Sequence, residues 1–362
     1  MAAEAGVSIS AVSRILCRKK IDCFNPGTVK RVIAAAEKLR YRPNRLVRGI
    51  QTGQTGLIGV VMPAYDEFYG MVMAGIHDAL VEKDYLPVVL WSSSDGVGRS
   101  GRTELEQIHA LVDLRVEGII LKPVYDAASD EYLHEIIDRK IPLVVVDRAR
   151  PRANASFVGS DDEAAMVATL DYLKSLGHRR IVYFGPDTPV STGVHRLHSF
   201  RAYFERERDL QATEFLTPGW KPSLQQALAC LRASPEVTAV VAVHDGFARV
   251  ILEAAAELGR NVPGDLSVAG HGNLPFARYI TPRLTTIDQH PIDIGMTAAR
   301  TLLSRIENPV QAFCKTLIPP QLLVRDSTAP AARVVASGSR FGGAPSEALE
   351  RIAVPEHGLA EG

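Results

Sequence analysis

An all-α helix-turn-helix head followed by an α/β core of two doubly wound parallel-sheet lobes is the fold class this sequence predicts. Three observations predict it. The stretch "AGVSISAVSRIL", Ala5 to Leu16, places a Gly-Val-Ser turn directly before an amphipathic run near the start of the chain. From Leu57 onward, short β-branched apolar runs alternate with helical stretches, which is the pattern of a parallel sheet covered on both faces. Those runs fall into two groups, implying two sheets with a cleft between them.

In the head, Val12, Ile15 and Leu16 share one side of a helix, while Ser10, Ser13, Arg14 and Cys17 share the other. Gly6 suits the left-handed residue that ends a preceding helix, and Ser8 suits the N-cap of the next. A basic loop, "RKKIDCF", leads to "NPGTVKRVIAAAEKLRY", where Asn25 caps and Pro26 opens a third helix. Its apolar stripe is Val29, Val32, Ile33, Ala36 and Leu39, with Lys30, Arg31, Lys38 and Arg40 facing outward. Residues 42–56, "RPNRLVRGIQTGQTG", are too short, basic and Gly-rich for a helix that stands alone, and they form a linker.

The first group of strands is "LIGVVMP", "LPVVLWSS", "EGIILKPV" and "IPLVVVD", separated by helices such as "GMVMAGIHDALVEKD" and "TELEQIHALVDLR". The second is "HRRIVYFG", "AVVAVHD" and "DLSVAGHG", with helices near 161–176, 196–208, 222–234 and 246–259. Beyond Asp326 the composition turns to Ala, Gly, Ser and Pro, the texture of a disordered tail. The expected organisation is a head at 1–43, a linker or hinge at 44–56, a core at 57–326 and a tail at 327–362.

The 362 residues, 46% hydrophobic and 23% charged, suit a soluble multidomain protein, and no apolar run spans a bilayer. A cytoplasmic location is expected, because the N-terminus lacks a signal peptide's apolar region. The four cysteines are scattered and form no metal-binding or disulfide pattern. A formal net charge of zero hides an asymmetry. Residues 1–52 hold 11 Lys/Arg against three acidic residues, so a head of +8 sits on a body of −8. Joined to a helix-turn-helix pattern, that charge points to nucleic acid.

These stretches, together with "RVIAAAEKLRYRPN", "TGLIGVVMP", "LVDLRVEGIIL", "PLVVVDR", "LGHRRIVYFGP", "PRLTTIDQHPIDIG" and "LLVRDST", resemble the LacI/GalR family of bacterial transcriptional regulators from about residue 1 to 327. Each is weak alone, and their order and spacing make the resemblance specific. It implies a DNA-binding head, a hinge, and a two-lobed core of the type I periplasmic-binding-protein kind that forms a homodimer and binds a small effector. By that resemblance the second helix enters the major groove of a double-stranded operator, with Ile9, Ser10 and Arg14 at base edges and Ser8, Ser13 and Asn25 at the phosphates. Asn44, Arg45, Val47 and Ile50 fall in the hinge helix, where Val47 and Ile50 are the apolar wedge that opens a minor-groove step. Family members carry a few more residues before the first helix; here Met1 falls inside it, which we take as a misassigned start, the alternative being a weakened head.

In the core, the resemblance places Phe68, Tyr69, Asp147, Arg196, Trp220, His244, Asp245 and Gln289 in the effector cleft. Asp245 has a competing role as the cap of the helix that starts at Gly246. Gly272 stands where many sugar-responsive relatives have an aspartate, with His271 or Asn273 as partial substitutes, so a sugar acid or sugar phosphate is as well suited as a neutral sugar. No cofactor or metal is implied.

An enzyme reading rests on "GVGRSG", Gly96 to Gly101, which fits GxGxxG, but Glu117 precedes the next strand instead of ending it, and no other catalytic motif is present. The expected function is therefore a non-enzymatic, allosteric repressor. The alternative is a small-molecule-binding protein whose DNA binding is impaired by its short first helix.

Overall fold

The computed structural model describes residues 1–16, 21–41, 49, 54–63, 66–92, 104–123, 131–148, 155–331 and 350–352. Helices α1 (Ala2–Ala5), α2 (Ile9–Leu16) and α3 (Pro26–Lys38) form the head. Gly6 takes the left-handed conformation at φ 64°, and its turn lets α2 leave α1 at once. Ala5, Val12, Ile15, Val32 and Ala35 make a small core. The stripe expected on α3 is rotated: Val32, Ala35 and Ala36 are buried, whereas Ile33 and Leu39 are about half exposed. Ala35 sits three residues after Val32, and its small side chain lets the helices approach closely. Arg31 Nε donates to the Ala5 carbonyl at 3.2 Å, and Lys38 pairs with Glu4, so two of the outward cations hold the helices together.

The first lobe is a six-stranded parallel sheet in the order β11-β5-β4-β3-β1-β2. Its strands are β1 (Leu57–Pro63), β2 (Leu86–Ser92), β3 (Gly118–Leu121), β4 (Leu143–Val146), β5 (Ser156–Ser160) and β11 (Lys315–Ile318). Strand β1 is buried throughout, and its side chains alternate between two clusters. Ile58, Val60 and Met62 pack toward helices α4 (Glu67–Glu82) and α11 (Pro291–Glu307). Leu57 and Val61 pack toward α5 (Glu104–Asp113) and α6 (Glu131–Asp138).

The second lobe is a parallel sheet in the order β13-β7-β6-β8-β9, made of β6 (Arg180–Pro186), β7 (Gln211–Thr217), β8 (Ala239–Ala242), β9 (Ser267–Ala269) and β13 (Glu350–Ile352). Helices α7 (Asp162–Ser175) and α8 (Ser191–Arg206) pack together, as do α9 (Leu224–Ala233) and α10 (Asp245–Glu257). The chain passes between lobes three times: from β5 into α7, from β10 (Thr286–Asp288) into α11, and from β11 into β12 (Gln321–Leu323). Strands β10 and β12 pair antiparallel beside the crossing.

Two expectations change. The core does not stop at Asp326: Ser327 is fully buried, donates to Val268 O at 2.6 Å and accepts from Thr285 N at 2.8 Å, and Ala331 N reaches Leu176 O at 2.9 Å. Small hydroxylic residues satisfy buried backbone groups there, so their polar texture disguises a core segment. Within the expected disordered tail, Glu350–Ile352 pairs in parallel with β7.

Candidate functional site

Burial of Val12 and Ile15 fixes which face of α2 meets solvent. On that face Ser8, Ile9, Ser10, Ser13 and Arg14 are all exposed, Ile9 to 80%. Ile9 is thus a large apolar side chain left in water at the start of α2, with Ser10 beside it and Arg14 one turn further on. Ser8 Oγ accepts from Ala11 N at 3.2 Å, and Asn25 Oδ1 accepts from Gly27 N at 2.8 Å, so both cap helices. Each cap lies at a helix N-terminus, where backbone N–H groups favour phosphate. Asn44, Arg45, Val47 and Ile50 lie outside the described residues, as does the GxGxxG stretch Gly96–Gly101.

Between the lobes opens a cleft of about 750 Å³, formed by loops at the C-terminal ends of the strands. Phe68, Tyr69, Asp147, Arg196, Trp220, His244 and Gln289 line it. Helix α4 supplies the first two from its N-terminus, where Asp66 accepts from Phe68 N at 2.9 Å and Tyr69 N at 3.3 Å. Tyr69 donates to Asp147 Oδ2 at 2.6 Å, and burial pushes the phenol well above its ordinary value. Asp147 is held at φ 62°, a left-handed conformation that turns its side chain out of the strand direction of β4.

Arg196 is buried and doubly tied: Nε donates to Asp162 Oδ1 at 2.7 Å and one terminal nitrogen to Val243 O at 2.9 Å. The residue also lines the cleft. Burial, and secondly the Arg196 charge, push the His244 imidazole down to about 4, so it is neutral. Because Nδ1 accepts from Gly246 N at 2.8 Å, the proton sits on Nε2 as a donor. The Trp220 ring lies nearly parallel to His244, with centroids 5.9 Å apart, and its indole N–H donates to Thr188 Oγ1 at 3.3 Å.

Asp245 is the correction in this set. It neither lines the cleft nor caps the helix, since His244 is the cap. The carboxylate is fully buried and accepts from Thr286 Oγ1 at 2.5 Å and Leu274 N at 2.7 Å, and burial raises it to about 6. It ties the loop carrying His271 and Gly272 to β10, and so positions the cleft wall. Gly272 has φ +126°, a conformation an aspartate would strain to adopt. His271 lines the cleft; Asn273 instead donates to Asp288 and accepts from Arg325.

Lys122, Arg148, Asp66 and Lys221 also line the cleft and were not singled out from sequence. A signal for Lys122 exists in "EGIILKPV": a lysine just past the C-terminal end of an apolar strand lies where α/β folds bind ligands. Among the described residues no cluster of acidic, histidine or cysteine side chains could hold a metal ion, and no helix is long and apolar enough to cross a membrane.

Residues 1–44 match the family described as bacterial regulatory proteins, lacI family, and residues 170–328 match the periplasmic binding protein-like domain. The HTH-type transcriptional regulator reg1 of Streptomyces lividans is 33% identical over 346 residues, 91% of this chain and 96% of that protein. The HTH-type transcriptional regulator PtxS of Pseudomonas putida is 29% identical, with 91% and 95% covered. Among solved structures, a LacI family transcriptional regulator from Enterococcus faecium with bound ribose is similar at TM-score 0.66 and 27% identity, covering 76% of this chain and 100% of that one. The lac repressor dimer bound to operator and an anti-inducer shares the fold at TM-score 0.76 and 24% identity, covering 91% and 97%. The chain belongs to the LacI family of bacterial regulatory proteins and is a DNA-binding transcriptional regulator.

Proposed function

We propose that the protein is a cytoplasmic, non-enzymatic repressor that binds a pseudo-palindromic operator as a homodimer and is controlled by a carbohydrate-like effector, a sugar, sugar acid or sugar phosphate, in the interlobe cleft. The observation that carries this reading is that one chain combines a basic head, whose α2 exposes Ile9, Ser10 and Arg14, with a cleft lined from both lobes. A ligand touching both lobes favours one angle between them, and two heads joined through the core are thereby brought into or out of register. The ribose held by the Enterococcus faecium relative supports the ligand class. Trp220 offers a flat apolar face for sugar C–H groups, while Arg196, His244, Asp147 and Gln289 supply partners for hydroxyls.

Operator selection from random duplexes, followed by binding at several salt concentrations, tests the DNA half. Arg14→Ala should cost about 1–3 kcal/mol of discrimination between selected and unrelated duplexes. An equal loss on both would remove Arg14 from base reading. Salt-insensitive, unselective binding would leave the small-molecule-binding alternative. Ile50→Ala should weaken operator binding and reduce the bend seen by permuted-site electrophoresis; an unchanged bend would remove the wedge.

A further inference from the structure

The walls of the cleft are unbalanced in charge. Lys122, Arg148, Arg196 and Lys221 face it, against the carboxylates of Asp66 and Asp147. Arg196 is matched from behind by Asp162. Lys122 is 1% exposed, with the Tyr69 ring centroid 5.3 Å from its Nζ and with the carboxylates of Asp147, Glu104 and Asp66 favouring its charge. Beside it, Arg148 Nε is buried and, among the described residues, has no hydrogen-bond partner. The backbone of Lys122 is pinned where β3 ends by its N–H to Val61 O at 3.0 Å, so the ammonium is presented to the cleft by the sheet itself.

A buried guanidinium N–H without an acceptor is costly, and the neutral hydroxyl of a sugar returns a lone pair but no charge. A carboxylate or phosphate returns both and accepts from a lysine and an arginine together. Resting on the reading of the cleft as the effector site, we propose that the effector is a small polyhydroxy organic anion, its acidic group held by Lys122 and Arg148 from the first lobe while Arg196 and His244 hold hydroxyls from the second. Such a ligand draws the two lobes together through opposite ends of one molecule.

A pH signature follows. Burial first, and then the neighbouring Arg148, bring the Lys122 ammonium down to about 7, against the opposing effect of Asp147, Glu104 and Asp66; Tyr69 covers its remaining side. A bound anion holds the proton on, so binding above that pH takes up a proton. Affinity should be level below about pH 7 and fall by up to tenfold per pH unit above it.

The test is calorimetric titration of the full-length protein with glucose, gluconate and glucose 6-phosphate, with gluconate repeated from pH 6 to 9, where its own carboxylate stays ionised. The expected result is at least tenfold tighter binding of one or both anions than of glucose, with gluconate and glucose 6-phosphate distinguishing carboxylate from phosphate. Lys122→Met should weaken the anion at least tenfold and abolish the pH slope. Lys122→Arg should keep much of the affinity but lose the slope, because a guanidinium does not titrate in that range. Glucose binding as tightly as the anions, or anion affinity unchanged in Lys122→Met, would overturn the anionic class while leaving the cleft as effector site. No binding by any of the three would remove both.

Discussion

Arg196→Met should lower the unfolding free energy by about 3–5 kcal/mol, which for a core of this size moves the thermal midpoint by roughly 10 °C. Arg196 and Asp162 are both almost fully buried, joined at 2.7 Å, and burial already pushes the Asp162 carboxyl above its ordinary value. Methionine fills similar volume and removes the only side-chain hydrogen bond that Asp162 accepts among the described residues, while His271 Nε2 stands at 3.7 Å and burial keeps its ring neutral. The loss therefore comes from a stranded charge more than from a missing attraction. The double variant Arg196→Met with Asp162→Asn separates the two, because it removes charge from both sides and should recover more than half of the stability in urea unfolding. If single and double variants unfold alike, the stranded-charge account is wrong and packing alone is at stake. Both variants should also lose the effector, since the cleft-facing guanidinium is gone in each.

Gly75→Ala should destabilise the first lobe by about 1–3 kcal/mol or more and weaken effector binding with it. Helices α4 and α11 touch backbone to backbone here: a Cβ at Gly75 would stand 2.0 Å from Ile292 O and 2.9 Å from Met296 N. Gly295 meets α4 in the same way, 2.0 Å from Val72 O. Neither obstruction is a side chain that can rotate aside, so the helices must separate. Alanine's advantage over glycine within a helix, about 1 kcal/mol, opposes this and does not cover it. The cleft feels the separation because α4 carries Phe68 and Tyr69 at its start and α11 follows directly from Gln289. Unfolding curves and ligand titration of Gly75→Ala and Gly295→Ala check it; wild-type stability in both would show that the helices have slack. The paired variant should cost less than the sum of the singles, since one displacement relieves both contacts.

What the chain determined by itself is everything that repeats over a few residues. The face of α2 follows from Val12 and Ile15 three apart, the turn before it from Gly6, and the buried strand β1 from an unbroken apolar run. Resemblance then carried Phe68, Tyr69, Asp147, Arg196, Trp220, His244 and Gln289 to a common place, and the structure puts all seven on the cleft. Strand β7 escaped because Gln211, Thr213 and Glu214 break its apolar pattern; Glu214 is buried there only because Arg201 binds it through two hydrogen bonds of 2.7 and 2.6 Å. The burial of Lys122, the turning of Asp245 toward Thr286 and the inclusion of Ser327 in the core were decided by the tertiary structure alone. The last two depend on partners far along the chain, Asp245 on Thr286 at a separation of 41 and Ser327 on Val268 at 59. A polar side chain's own neighbours in sequence do not reveal its burial; only the fold says whether it meets water, a partner or a cleft.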